Sequence, residues 1–308
     1  MATVVAATPK GRNSRNQTGL AAAMLAPSMV ILGVFVLYPL AKAIWLGHQR
    51  CDTQGKRCQS NGWDQYVGVF RSREFQHALA VTFKYVLLTV PLGLALGVGL
   101  AVLADRYIRG VGIFRTIFSS TVATSVAVAS LMWFWLLQPS KGILLNIDWL
   151  VRWFPVIKRP GLLADQGTAL SSVALSSVWA NLGFTFIIIT AGLQSIPKDL
   201  YESAFVDGAS GWRRFTNVTL PMLGPTLLFV SVALMGRAFQ SYGEVDLLTH
   251  GGPRGSTTTV TYLIYGTESI VRNNDGLQAA VAVLLFAVLL IISLLQFRGL
   301  DKRVHYGN

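Results

Sequence analysis

Charge is scarce in this chain. Asp, Glu, Lys and Arg make up 13% of its 308 residues, where a soluble domain carries about 25%. That shortage excludes an ordinary water-soluble globule. Acidic residues are scarcest, 14 against 26 Lys plus Arg, leaving a net charge of +12. The cations are scattered and form no stripe interleaved with aromatics, so nucleic acid is not an expected partner. Two cysteines are too few for a disulfide framework or a cysteine metal centre. The four histidines, His48, His77, His250 and His305, lack metal-ligand spacing, and no metal site is expected. No H-E-x-x-H, G-x-S-x-G or P-loop G-x-x-x-x-G-K-S/T run occurs. The chain therefore reads as a non-enzyme with no cofactor of its own.

Uninterrupted apolar sequence is what the chain has in abundance, with 52% hydrophobic residues. Uncharged runs extend over 16–41, 85–104, 116–140, 166–197, 215–236 and 276–297. A helix needs about 20 residues to cross a hydrocarbon core, and runs this continuous are helical rather than alternating strands. The expected fold is an all-α integral membrane protein with six spans near 20–46, 78–104, 112–137, 169–193, 217–239 and 277–297. Residues 1–19 read as a disordered cytoplasmic tail, 20–297 as the membrane domain and 298–308 as a second cytoplasmic tail. The first run is too long for a cleaved signal peptide and lacks a small-residue cleavage site. Three Lys or Arg fall in each of the N-terminal tail, the 105–115 loop, the 198–214 loop and the C-terminal tail. These segments are short, so their cation density places both termini in the cytoplasm.

Prolines punctuate the spans. Pro27 and Pro39 bracket the first, Pro91 lies in the second, and Pro221 and Pro225 open the fifth, where each predicts a kink. Gly93-x-x-x-Gly97 offers a surface for close helix packing. On the outer side, Ile143 to Phe154, with Trp149 and Trp153, fits an interfacial helix. Gly251-Gly252-Pro253 predicts a turn ahead of Thr257–Tyr265, a short segment expected to re-enter or line the outer mouth. Cys51 and Cys58 share the first outer loop, where a small disulfide loop and two free thiols are both open readings.

One charged island, 202–225, interrupts the apolar text between the fourth and fifth spans. It reads as a helix from Lys198 to Val206, a turn at Gly208 and a basic helix leading into Leu220-Pro221. Glu202 and Asp207 bracket the first helix end, and Gly208 supplies a turn that a β-carbon would hinder. Arg213 and Arg214 suit acidic groups on a partner or lipid phosphates.

Polar groups within the spans are the candidates for a pathway. Lys42 and Lys84 sit where a cation snorkels to the headgroups. Arg237 is followed by Gln240, Tyr242 and Glu244. It suits a bidentate grip on a phosphate or carboxylate, with Lys84 as a second cation, or an internal pair with Glu244 or Asp246. Asn181 requires a partner at membrane depth, either a neighbouring helix or the passing solute. Trp133 and Trp135 fit an interface belt, with sugar stacking as the other reading.

Glu202, Ser203-Ala204, Asp207-Gly208-Ala209, Leu220-Pro221 and Pro225 together resemble the coupling loop of permease subunits in ABC importers. The resemblance covers nearly the whole chain. Leu25-Ala26-Pro27, Tyr38-Pro39, Gln138-Pro139-x-x-Gly142, Leu193-Gln194-Ser195-Ile196-Pro197 and Leu248-Thr249-x-Gly251-Gly252-Pro253 are similar to carbohydrate-type permeases. Gln296-Phe297-Arg298 and the ending Lys302 to Tyr306 look most like the A-type permease subunit of sn-glycerol-3-phosphate and glycerophosphodiester importers. The resemblance implies a type I importer permease fold in the bacterial inner membrane. It implies a second homologous permease subunit, an ATPase dimer holding ATP and Mg, an extracytoplasmic substrate-binding protein, and membrane lipid around them. The loop at 198–218, with Glu202, Ser203, Ala204, Asp207, Gly208, Ala209, Arg213 and Arg214, would then meet the ATPase. Ser203 in place of the family's Ala and the cysteine pair depart from the pattern and bear on substrate rather than class. A neutral-sugar permease is the alternative within the class, and a stand-alone channel or ion-coupled carrier the alternative outside it.

Overall fold

The computed structural model describes residues 14–51, 58–105, 110–138, 142–143, 161–267, 269, 271 and 274–301. Most of the proposed interfacial helix (Trp149 and Trp153 included) and the ending Lys302 to Tyr306 lie outside them. The described chain is overwhelmingly helical. Helices Ser14–Leu32 (α1) and Tyr38–Gly47 (α2) are joined by a π turn at Gly33–Leu37, and together form the first long apolar element. Arg73–Ala104 (α4) and Ala169–Gln194 (α7) are unbroken, as is Asp275–Asp301 (α14). Helix begins at Ser14, inside the stretch read as a tail.

Two expected spans are bent, the third with no proline to predict it and the fifth where Pro221 and Pro225 predict a kink. Val111–Ser120 (α5), extended by a 3-10 turn to Ala123, meets Val126–Leu137 (α6) at 106°. The Ser/Thr-rich junction makes the break. Thr124 and Ser125 take extended backbone, and the Ser125 hydroxyl accepts from Val128 N at 3.3 Å to start the next helix. Proline makes the second bend, where residues 211–222 meet Gly224–Phe239 (α11) at 67° with Pro225 in the first turn. Among the described residues, four helices are by length and composition fit to cross a membrane, or six if each bent pair counts as one span.

Both π turns share a cause. Gly33–Leu37 ends two residues before Pro39, and Phe215–Thr219 ends two residues before Pro221. Proline donates no hydrogen bond, and its ring clashes with the carbonyl four residues back. Widening the preceding turn by one residue relieves that clash without breaking the helix.

The all-α expectation needs one correction. In the outer loop, Gln49–Cys51 (β1) pairs antiparallel with Cys58–Ser60 (β2), with Cys51 opposite Cys58. Helix Asp64–Arg71 (α3) follows, and its Tyr66 hydroxyl donates to Ile44 O at 2.8 Å, tying the loop to the first span.

The core lies where α4 and α7 run against each other, with Phe75, Tyr85, Val173, Phe186 and Ile189 all buried. Gly97 makes that approach possible, since a Cβ there would collide with the Thr185 side chain and meet Ile189 at 3.1 Å. A Cβ on Gly93 would lie 3.3 Å from Leu234 on α11, so the Gly93/Gly97 pair is a packing surface for two helices. Residues 20–38 contrast with this core, remaining largely exposed along a row of Leu, Met, Val and Phe side chains.

Gly97→Val is expected to destabilise the folded protein by about 1–3 kcal/mol through overpacking. Gly99→Val, on the same helix with nothing within 4 Å of its added Cβ, serves as the control for helix propensity. Thermal unfolding of both purified variants in detergent checks this: only the Gly97 variant should melt early.

Candidate functional site

The charged island folds as a helix pair with defined ends. Helix Lys198–Val206 (α8) stops at Asp207, and Gly208 takes a left-handed φ of +72°. Gly208 N donates to Phe205 O and Ala209 N to Ala204 O, each at 3.0 Å. Those two bonds are a Schellman cap, which satisfies the last carbonyls and demands a residue without a Cβ penalty at the left-handed position. The Ala-x-x-Asp-Gly-Ala spacing is thus a helix terminator. Ser210 opens the next helix at once, accepting from Arg213 N at 3.4 Å to cap Gly211–Arg214 (α9). The turn continues through the π segment into Leu220–Met222 (α10).

This doubly capped corner presents apolar side chains outward. Phe205, Val206 and Trp212 are 69%, 85% and 74% exposed. Glu202, Ser203, Asp207 and Gly208 lie exposed beside them, and Ala204 and Ala209 are half-buried. Arg213 is exposed, whereas Arg214 turns inward with its guanidinium 5.6 Å from the Phe205 ring centroid. The corner is anchored to the body by the Tyr201 and Thr219 hydroxyls, 3.0 Å apart. At the nearby end of α4, Arg115 donates to Ala104 O at 2.8 and 3.2 Å, which assigns one loop cation to capping.

At the other end of the bundle, helices Gly243–Thr249 (α12) and Val260–Tyr265 (α13) flank the Gly251-Gly252-Pro253 turn. The threonines hold this loop closed. Thr257 Oγ1 lies 2.7 Å from Thr249 Oγ1 and donates to Gly252 O at 2.8 Å, Thr258 donates to Gly251 O, and Thr259 donates to Ser241 O. Thr82 on α4 accepts from Val260 N at 2.9 Å. The segment read as lining the outer mouth is buried through Ile264 and packs against α4 and α14. A cleft of about 370 Å³ remains outside it, lined by Glu74, His77, His250, Arg254 and Thr258 among others.

Two separate pathway candidates meet. Arg237 Nη1 donates to Asn181 Oδ1 at 2.9 Å, and its Cζ lies 4.7 Å from the Phe184 ring centroid. Asn181 in turn donates to Ser177 O at 2.9 Å. The internal pair of Arg237 with Glu244 or Asp246 does not form. Among the described residues the ion pair within 4.0 Å is His250 with Asp246, at 3.8 Å. Glu244 is instead 8% exposed and accepts from Ser241 Oγ at 2.9 Å. Lys84 and Gln240 are exposed and make no side-chain hydrogen bond with a described residue. Tyr242 stacks on Tyr262 at 6.2 Å, and Trp133 packs edge-on against Trp179 at 6.3 Å. Sequence reasoning missed Tyr85, Ser177 and Ser241. Their signal was hydroxyls inside or beside apolar runs, where each must find a partner.

The architecture is that of a polytopic helical membrane protein with its polar groups gathered at helix ends and around Arg237. Residues 74–306 match the family described as binding-protein-dependent transport system inner membrane component. The chain belongs to that family, so it is a membrane transport component and not an enzyme. It is 32% identical over 285 residues to the sn-glycerol-3-phosphate transport system permease protein UgpA of Agrobacterium fabrum, covering 92% of this chain and 95% of that one. The Brucella abortus protein of the same name is 33% identical at the same coverage. Among solved structures, the fold is shared with a chain of a bacterial alginate ABC transporter in complex with an alginate pentasaccharide-bound periplasmic protein. That likeness has a TM-score of 0.75 at 23% identity and covers 92% of this chain and 94% of the other. A bacterial ABC transporter that imports alginate gives 0.73 at 25% identity, with 93% and 96% covered.

Proposed function

We propose that this chain is one of two homologous permease subunits of an ATP-driven importer. It forms half of an alternating-access pathway, with six spans and both termini in the cytoplasm. The observation that carries this reading is the capped corner at 198–218, whose exposed Phe205, Val206 and Trp212 suit burial in a groove of a soluble partner. A partner ATPase dimer, binding ATP and Mg, supplies the energy. A rigid corner transmits a push; a frayed loop would absorb it. The exposed row at 20–38 meets lipid and the second permease subunit, and an extracytoplasmic binding protein delivers the solute to the outer loops.

The solute is of the glycerol-phosphate type, glycerol-3-phosphate or a glycerophosphodiester. The likeness to UgpA proteins supports this, as does a guanidinium exposed at membrane depth. A neutral sugar is the second reading. It draws on the resemblance to carbohydrate-type permeases alone, since the alginate of the transporters that share the fold is an acidic polysaccharide, and Trp133 is half-buried against Trp179 rather than open for stacking.

Gly208→Val places a β-branched residue at φ +72°, a strain of about 1–2 kcal/mol that disrupts the cap. That variant and Glu202→Lys are expected to insert normally yet lose most uptake of labelled sn-glycerol-3-phosphate in cells carrying the full transporter. Wild-type uptake by both would defeat the coupling role. For the solute, Arg237→Ala should lower the same uptake well below Arg237→Lys, and equal rates in all three forms would remove Arg237 from the pathway.

Cys51 and Cys58 are proposed to be disulfide-bonded. Directly opposed residues of an antiparallel pair sit about 4.5–5.5 Å apart at Cα, within the roughly 4.4–6.8 Å range of a disulfide, and the register sets these two opposite. Maleimide labelling of the denatured chain should occur only after reduction, and equal labelling before reduction would show free thiols.

A further inference from the structure

A second cleft, of about 280 Å³, lies between the charged corner and the ends of α4 and α7. Asp105, Tyr201, Arg214 and Thr219 supply its polar lining, and Val102 and Leu193 an apolar wall. Arg214 is short of acceptors. Its Nε is buried without one, a costly state for a charged donor. One face of the guanidinium is covered by Phe205, with Cζ 5.6 Å from the ring centroid, which leaves the edge for other partners. Asp105 lines the same cleft and is exposed, yet it stands more than 4.0 Å from Arg214, since the ion pair at that range among the described residues is His250 with Asp246. Two opposite charges thus line one cleft without pairing. Tyr201 and Thr219 add a donor: their hydroxyls, 3.0 Å apart, carry two protons and spend one on each other, so one is left for another acceptor.

We infer that this cleft is a binding site for an ethanolamine phosphate group, carried either by a lipid headgroup or by a free glycerophosphodiester. Such a group holds an anionic phosphate and a primary ammonium at the two ends of a short linker. The phosphate accepts from Arg214 and from the Tyr201–Thr219 pair, and the ammonium donates to Asp105. The carboxylate decides the class. A purely anionic headgroup meets Asp105 as a like charge, and a quaternary ammonium has no proton to donate to it. The location fits as well, because α4 and α7 are both long and apolar enough to span and the cleft sits where they end, at the level of lipid headgroups. Val102 and Leu193, each in the last turn of its helix, face the glycerol part of the ligand. The site depends on the chain lying in a membrane and on neither the solute nor the energy source proposed above.

The test follows melting of the full chain, purified in detergent with its partner subunits, as lipid is added. Each variant's shift is measured from its own lipid-free melting temperature. Phosphatidylethanolamine should reach half of its stabilising shift at about one tenth of the concentration that phosphatidylglycerol or phosphatidylcholine requires, the factor that one charge-assisted hydrogen bond supplies. Asp105→Asn and Arg214→Gln should each erase that preference. Arg213→Gln removes an equal charge from the exposed side of the corner and should keep it. Soluble glycerophosphoethanolamine carries the same group without acyl chains. A shift from it that disappears in the Asp105 and Arg214 variants assigns the site to a free diester, and no shift from it beside a tenfold lipid preference assigns the site to the membrane. Equal half-shift concentrations for the three lipids, with no shift from the soluble diester, would overturn the site. So would a preference that survives either cleft variant, or one that Arg213→Gln removes as fully as Arg214→Gln does.

Discussion

A polar group inside hydrocarbon must find its partner within the protein, because no water is there to supply one. Most local features of this chain answer that single demand. Threonine and serine hydroxyls return to carbonyls three or four residues back, as Thr82 does to Ala78 and Ser231 to Leu228. The π turns re-route backbone bonds around Pro39 and Pro221. Arg237, Asn181 and Ser177 satisfy one another between α11 and α7, and Tyr85, Ser241 and Glu244 do so between α4 and the start of α12. What looks like a set of unrelated polar intrusions resolves into two partnered groups.

The same demand explains why the two ends of the bundle differ. At the charged corner, water is available and the chain spends its hydrogen bonds on sharp helix ends: a Schellman cap at Gly208, then a serine cap at Ser210. Side chains there are free to project, and Phe205, Val206 and Trp212 do. At the opposite end, five threonines, Thr82, Thr249, Thr257, Thr258 and Thr259, are consumed in closing one loop onto α4 and α12. One end is built to present a surface. The other is built to hold a buried segment in place.

Legibility in the sequence followed range. Elements set by local composition or by near neighbours were readable: Ala169–Gln194 against an expected 169–193, the helix at Lys198–Val206, and the turn at Gly208. The 106° break at Thr124–Ser125 escaped because hydropathy counts charges and apolar surface, and Ser or Thr in a helix can bond back to its own backbone without ending it. The hairpin at Gln49–Cys51 and Cys58–Ser60 escaped because three-residue strands carry too little pattern to see. Arg237 and Asn181 were each visible as polar groups in apolar text, but 56 residues separate them and only packing joins them. Thr257 to Thr259 were noticed as text, and their work as staples depends on partners at Thr249, Gly252, Gly251 and Ser241.

The placement of glycine ties packing to the polar network. Gly97 and Gly93 let α4 lie close to α7 and α11, and that approach brings the Tyr85 hydroxyl on α4 within 3.1 Å of Ser241 Oγ. A bulkier residue at either glycine would prise the helices apart and strain that hydrogen bond. On the other side of α7, a Cβ on Gly183 would lie 2.7 Å from Val122 N and 3.0 Å from Phe118 O, so the same helix also seats the bend between α5 and α6. Helix α7 is therefore the element against which both the bend and the Arg237 network are registered. A shift of α7 along its axis would move Asn181 and Gly183 together, and so would disturb the cation and the bend in one step.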